Sequence, residues 1–219
     1  MRRRTLLKTA GLALAPIAAH AQAPADFYFT RLKYESGDWD AGAGAAPTVL
    51  QALTRYTNLR VDPRERVVAL ADARMLEAPF CYLTGRKLAQ FSGAERTHFE
   101  RYVRGGGFVL ADDAGIDSGL FASSFEAELA RMFGPKALRK LAPGHPLYSS
   151  FFQFDAAPSG AIAAPGFDDP APGLLRAIDS GARVRVLLVS RYFGDAQRTP
   201  SAADISRFAV NIIEYALGA

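Results

Sequence analysis

GGGFVLADDAG, residues 105–115, is the stretch on which the fold turns. What precedes it has the marks of a helix. Ser92-Gly93-Ala94-Glu95 is a capping-box pattern, and Phe99, Tyr102 and Val103 recur at i, i+3, i+4 spacing. Gly105 stands where a helix C′ residue is expected. Residues 107–111 are apolar on both faces, as a strand inside a parallel sheet must be. A phosphate loop needs strand, glycines, helix, so that helix N-terminal amides face the phosphates. Here the order is helix, glycines, strand, so the glycines reverse the chain. Asp112 and Asp113 fall at the strand's carboxyl end.

The same reading extends outward. Residues 27–34 (FYFTRLKY) form an aromatic, partly alternating first strand, followed by a glycine-rich loop over 35–46. Residues 47–56 read as a helix with Val49, Leu50 and Leu53 on one face and Pro47 in its first turn. Short strands are predicted at 59–61 and 67–71, and another at 80–83 that ends on Thr84-Gly85. Ser123-Ser124-Phe125-Glu126 is a second capping-box pattern, leading Leu129, Met132 and Phe133 to a stop at Gly134-Pro135. Residues 155–173, rich in Pro and Gly, read as a lid or an insertion. Residues 174–178 and 183–190 read as a hairpin with a buried second strand. Ser201 to Asp204 cap a last helix bearing Ile205, Phe208, Ala209, Ile212 and Ala216. Strands alternating with helices predict an α/β fold, a mostly parallel sheet flanked by helices.

The first 21 residues read as a leader. Arg2, Arg3, Arg4 and Lys8 precede an apolar run too short to span a bilayer, and Ala19-His20-Ala21 is an A-x-A cleavage pattern. Arg3-Arg4-Thr5-Leu6-Leu7-Lys8 is close to the twin-arginine export pattern. The expected organisation is a signal peptide over 1–21 and one α/β domain over 22–219, exported to the periplasm or beyond and soluble. The chain is formally +4, but four of its 26 basic residues lie in the leader, leaving 22 against 22 acidic. No basic tract that would track a phosphate backbone remains, which argues against nucleic acid as a partner. Later apolar runs are too short for a membrane span. Cys81, the sole cysteine, lies in an apolar run and reads as a buried, inert thiol.

Ligands of open α/β sheets bind in the crevice beyond the carboxyl ends of the strands. Asp112, Asp113, Thr84, Gly85, Arg191 and the loop over 34–40 fall there by position. Side chains alternate along a strand, so only one aspartate need face a crevice. The competing reading has them capping the next turn. His145, in Pro143-Gly144-His145-Pro146-Leu147, fits a base, a metal ligand or a turn-anchoring donor. Trp39 fits a saccharide platform or a side chain pinning its own loop. Two histidines beyond the leader and one cysteine give no zinc-site spacing, and no cofactor or resident metal is implied. No G-x-S-x-G elbow is present.

The Tyr34-x-x-Gly37-Asp38-Trp39 loop, Phe80 to Gly85, GGFVLADD, the Pro-x-His-Pro-Leu turn and Asn211 to Leu217 together resemble one bacterial family, catalogued as domain of unknown function 4159. The resemblance spans roughly residues 27–217. It implies a fold like the class I glutamine amidotransferases, a flavodoxin-like three-layer sandwich. It also implies company, since such proteins are often encoded near MoxR-type ATPases and von Willebrand A-domain proteins. The amidotransferase chemistry is not implied. It needs a cysteine thiolate on a strand-to-helix elbow, and this chain has Ala114 where some relatives carry cysteine. Relatives tend to show Thr-Gly-His where this chain has Thr84-Gly85-Arg86.

Two functions follow as expectations. One is a non-catalytic module binding a small molecule, a glycan or a protein at the strand-end crevice. The other is a periplasmic hydrolase using Asp112 or Asp113 with His145. The leader makes its own prediction: export should survive loss of the Sec route and fail in Arg3→Lys/Arg4→Lys, read by fractionating cells and blotting.

Overall fold

The computed structural model describes residues 25–115, 119–158, 175–179, 183–190 and 202–218. In chain order the strands are β1 (Thr30–Lys33), β2 (Arg66–Ala69), β3 (Phe80–Gly85), β4 (Phe108–Asp113), β5 (Leu138–Lys140), β6 (Arg176–Asp179) and β7 (Val184–Ser190). The helices are α1 (Ala45–Tyr56), α2 (Gly93–Arg104), α3 (Leu120–Phe133) and α4 (Ala202–Leu217), with 3-10 turns at Ala73–Glu77 and Pro146–Ser149. The strands form one sheet in the order β2-β1-β3-β4-β7-β6-β5. From β2 to β7 the neighbours run parallel, and β6 is antiparallel to both β7 and β5. The fold is α/β with a mostly parallel open sheet, as the sequence predicts.

Each face of the sheet has its own core. On one, Phe27, Phe29, Phe80, Tyr82, Phe108 and Leu110 pack beneath α1 and α4. Neighbouring rings meet across the strands, Phe29 with Tyr82 at 5.2 Å and Phe80 stacked on Phe108 at 6.2 Å. On the other, Cys81, Leu83, Val109 and Ala111 pack beneath α2 and α3. This alternation within β3 and β4 is why both strands read as continuous apolar runs. Cys81 is fully buried, and burial pushes its thiol up to about 12, so it is protonated and inert.

The glycine stretch behaves as a chain reversal, with one residue of difference. Gly105 is the C-cap of α2 in right-handed conformation, and Gly106 takes the positive φ of +99°. Gly107 is required for another reason. A Cβ there would lie 2.3 Å from the Tyr102 ring, which is held by hydrogen bonds from its hydroxyl to the carbonyls of Ala78 and Phe108. The capping box at Ser92 is present in both directions, Glu95 N–H to Ser92 Oγ and Ser92 N–H to Glu95.

Other expectations shift. Residues 59–61 contribute only a single bridge, Phe27 to Val61. Helix α3 begins at Leu120, before the Ser123 pattern, so Ser123 and Ser124 lie inside the helix and donate their hydroxyls to the Leu120 carbonyl. β5 was not expected, being three residues long and without apolar alternation. β6 and β7 form the expected antiparallel pair. Of residues 155–173, only 155–158 are described, and the leader over 1–21 lies outside the described residues.

Helices α2 and α3 are joined by a buried carboxylate. Glu128 accepts a bidentate pair from Arg96, at 2.6 and 3.1 Å, and a further bond from Arg131. Burial pushes the Glu128 carboxyl up, but the two guanidiniums outweigh it and hold it below its ordinary value. A depressed carboxylate contributes stability that is present above its unfolded value and lost as pH falls through the folded one. Stability should therefore drop below about pH 4.5. Urea melts over the acid range should show a flatter decline for Glu128→Gln. The glycine contacts predict opposite signs at two positions. Gly107→Ala should destabilise by about 1–3 kcal/mol through overpacking against Tyr102. Gly93→Ala, with nothing within 4 Å of the new methyl, should be neutral or stabilise by about 0.5–1 kcal/mol. Denaturant melts of the two variants check both signs.

Candidate functional site

The chain passes from β1 through α1 to β2 on one side, then crosses back to β3 on the other. The sheet order reverses between β1 and β3, and such a switch point leaves a crevice at the strand ends. Tyr34, the residue after β1, fills it on the α2/α3 face. Its hydroxyl donates to the Thr84 carbonyl at 3.1 Å, and its ring packs between Gly37 and Gly85. A Cβ at either glycine would come within 2.2 Å of Tyr34. Burial, then the surrounding carboxylates of Asp38, Asp113, Asp40 and Glu95, push this phenol above its ordinary value, so it remains a donor. Asp38 closes the loop over β3 by accepting from the amides of Arg86 and Lys87. Trp39 is half-buried against the same core, with the Lys33 ammonium 5.5 Å from its ring. The loop motif is thus self-engaged, and Gly85 is covered by Tyr34.

The aspartates are part of β4 itself. The strand expected to end at Ala111 runs to Asp113, pairing Thr84 with Asp112 and Gly85 with Asp113. Their side chains point to opposite faces. Asp113, 0% exposed, accepts from Gly115 N–H at 2.8 Å and from Ala122 N–H at 3.0 Å. The first bond is the turn cap weighed for it in the sequence. The second satisfies an amide in the first turn of α3, which Gly119 cannot cap with a side chain. Thr84 is likewise buried and donates its hydroxyl to the Asp112 carbonyl at 2.7 Å.

Asp112 lies on the α1/α4 face and is 1% exposed. It accepts the Tyr82 hydroxyl at 2.8 Å, and the Arg31 guanidinium sits 5.1 Å over the Tyr82 ring. Burial, then the Asp112 charge, pushes the Tyr82 phenol well above its ordinary value, fixing it as the donor. Arg31 is 2% exposed, pairs with Glu65 at 3.1 Å and donates to the carbonyls of Ala41 and Gly42. The row Arg31, Tyr82, Asp112 runs from the middle of β1 and β3, where Arg31 and Tyr82 are register partners, to the carboxyl end of β4. Sequence reasoning missed its first two members. The available signal was an arginine at position 31, in phase with Phe27 and Phe29 and hence on a buried face.

His145 belongs elsewhere. Its Nδ1 accepts from Leu147 N–H at 3.2 Å, capping the second 3-10 turn, and its ring meets Tyr215 at 5.5 Å. Tyr215 in turn packs on Phe108, the first residue of β4, at 6.3 Å. From Phe108 to Asp112 the extended chain covers about 13 Å. His145 therefore stands at the amino-terminal end of the sheet and the aspartates at the other, and the structure does not bring them together. Of the three readings for His145, its contact displays a turn anchor, with the ring nitrogen accepting rather than donating. Arg191 lies outside the described residues. Among the described residues, no three His, Cys, Asp or Glu side chains form a group that could hold a metal ion. No helix of the described residues is long and apolar enough to cross a membrane.

The α1/α4 face thus holds a buried carboxylate hydrogen-bonded to a phenol, with a guanidinium over the phenol ring. Ala114, next after β4, has only a methyl group, and its amide is bonded to the Gly85 carbonyl. No curated protein matches the chain. A family model does, over residues 28–217, a span that takes in β1 through α4: the chain belongs to the family described as Domain of unknown function (DUF4159).

Proposed function

We propose that this chain is a non-catalytic, exported binding module whose ligand, a small molecule, glycan or protein segment, engages the carboxyl-terminal rim of the sheet on the α1/α4 face. The observation that carries the reading is the Arg31–Tyr82–Asp112 row, a buried polar set that reaches the carboxyl end of β4 at Asp112, on the face that Tyr34 does not fill. The order of β2-β1-β3-β4 with helices on both faces supports a flavodoxin-like or class I amidotransferase-like arrangement. The family resemblance adds MoxR-type ATPases and von Willebrand A-domain proteins as a partner system. The hydrolase alternative has less support, because the length of β4 separates His145 from both aspartates.

The test is a thermal-shift screen of the protein with cell-wall muropeptides and oligosaccharides. A ligand present at one hundred times its Kd should stabilise the protein by about 2.7 kcal/mol. Asp112→Asn, which keeps an acceptor for Tyr82 and removes the charge, should weaken that ligand by about tenfold. Asp113→Ala should instead lower stability by about 1–3 kcal/mol, because it strands two buried amides. A ligand bound equally well by Asp112→Asn, or none across the screen and no co-purifying partner, would overturn the reading.

A further inference from the structure

We propose a second binding site along the outer side of α1, taking the carboxyl-terminal end of an apolar peptide. A cavity of about 630 Å³ lies there, between α1 and the segment leading into β2. That volume falls inside the range of roughly 300–1,000 Å³ common to small-molecule sites. Ala46, Pro47, Leu50, Gln51, Thr54 and Arg55 form its helical wall, and their three- and four-residue spacing makes them one face of α1. From Ala46 to Arg55 the helix rises about 13 Å, the span of about four extended residues. Val61, Pro63 and Glu65 form the opposite wall.

The polar groups of this cavity divide by what they already hold. Glu65 pairs with Arg31 at 3.1 Å, so its charge is answered within the fold. The Thr54 hydroxyl donates to the Leu50 carbonyl at 2.9 Å. Arginines of the flanking elements are taken as well, Arg60 by Asp26, Arg66 by Asp62 and Arg207 by Asp204. Arg55 is exposed and forms no ion pair or side-chain hydrogen bond among the described residues; it meets only the Tyr56 ring, at 5.3 Å. Gln51, one turn earlier and also exposed, makes no side-chain hydrogen bond among them either. A guanidinium is the complement of a carboxylate, and a side-chain amide, donor and acceptor at once, is the complement of a peptide unit. Pro47, Leu50, Val61 and Pro63 supply the apolar surface between the walls. An extended apolar peptide satisfies all three, with its terminal carboxylate on Arg55 and a backbone amide on Gln51. Of the lining residues, Glu65 alone touches the Arg31 row, so the site goes beyond the rim proposed above.

The experiment is isothermal titration of the full chain with N-acetylated Leu-Ala-Leu-Val, with its C-terminal amide, and with decanoate. The free-acid peptide should bind with one-to-one stoichiometry. The amide, which lacks the carboxylate, and decanoate, which lacks the peptide units, should each bind at least about tenfold more weakly. Arg55→Gln should bring the acid down to the affinity of the amide and leave the amide unchanged, and Arg55→Lys should keep the preference for the acid. Gln51→Ala should weaken both peptides alike, and Asp112→Asn should change neither. Both positions are exposed on α1 and take good helix formers, and circular dichroism melts confirm that the variants fold. Absence of peptide binding, equal binding of acid and amide, or an Arg55→Gln variant that keeps the preference overturns the site. Decanoate binding as tightly as the acid peptide overturns the peptide assignment, and loss of peptide binding in Asp112→Asn overturns independence from the rim.

Discussion

Two adjacent carboxylates buried at the end of an apolar strand set the terms for everything around them. An isolated charge in such a place costs several kcal/mol, so each must be met by donors held in position. Asp113 is met by the Gly115 amide and by Ala122 in the first turn of α3, which fixes where that helix begins. Asp112 is met by the Tyr82 hydroxyl, whose ring lies under Arg31, whose guanidinium in turn holds the carbonyls of Ala41 and Gly42 just before α1. One dipeptide thus positions a helix on each face of the sheet. Alternation along the strand is what lets it act in both directions.

The features legible in the sequence were those whose cause is local. The capping box at Ser92, the reversal at Gly105–Gly107 and the doubly buried strands each depend on residues a few positions apart. What escaped depends on distant partners. The Ser123 pattern resembles a helix start, yet Asp113, nine residues before Ala122, supplies the cap three residues earlier. Gly85 invites a reading as open backbone for a ligand, until Tyr34 arrives from fifty residues away to cover it. The Asp112–His145 pairing was an inference from residue type alone, and sequence carries no signal that sends one to each end of a strand.

The motifs that mark the family are mostly structural for the same reason. Asn211 accepts from Phe152 N–H and donates to the Leu147 and Phe152 carbonyls, holding the loop after the His145 turn against α4. Tyr215 accepts from Val184 N–H and so sets the start of β7. Tyr34, Gly37 and Asp38 close the switch point. Short motifs made of aromatic, glycine and carboxylate residues are what a fold needs wherever a ring must lie against backbone or a buried amide must be capped.

That division constrains where chemistry can reside at the carboxyl end. On the α2/α3 face, the Tyr34 hydroxyl, the Asp38 carboxylate and the Asp113 carboxylate are engaged by the fold's own backbone. On the α1/α4 face, the chain instead keeps a guanidinium, a phenol and a carboxylate in one buried row, where apolar residues of similar volume would be as stable or more so. Arg31, in phase with Phe27 and Phe29, is held on that buried face by Glu65 and the carbonyls of Ala41 and Gly42. On the proposed binding reading, a charge pre-organised in this way needs no rearrangement when a polar ligand binds. The asymmetry between the two faces, rather than the presence of aspartates as such, is what distinguishes this rim from the remainder of the core.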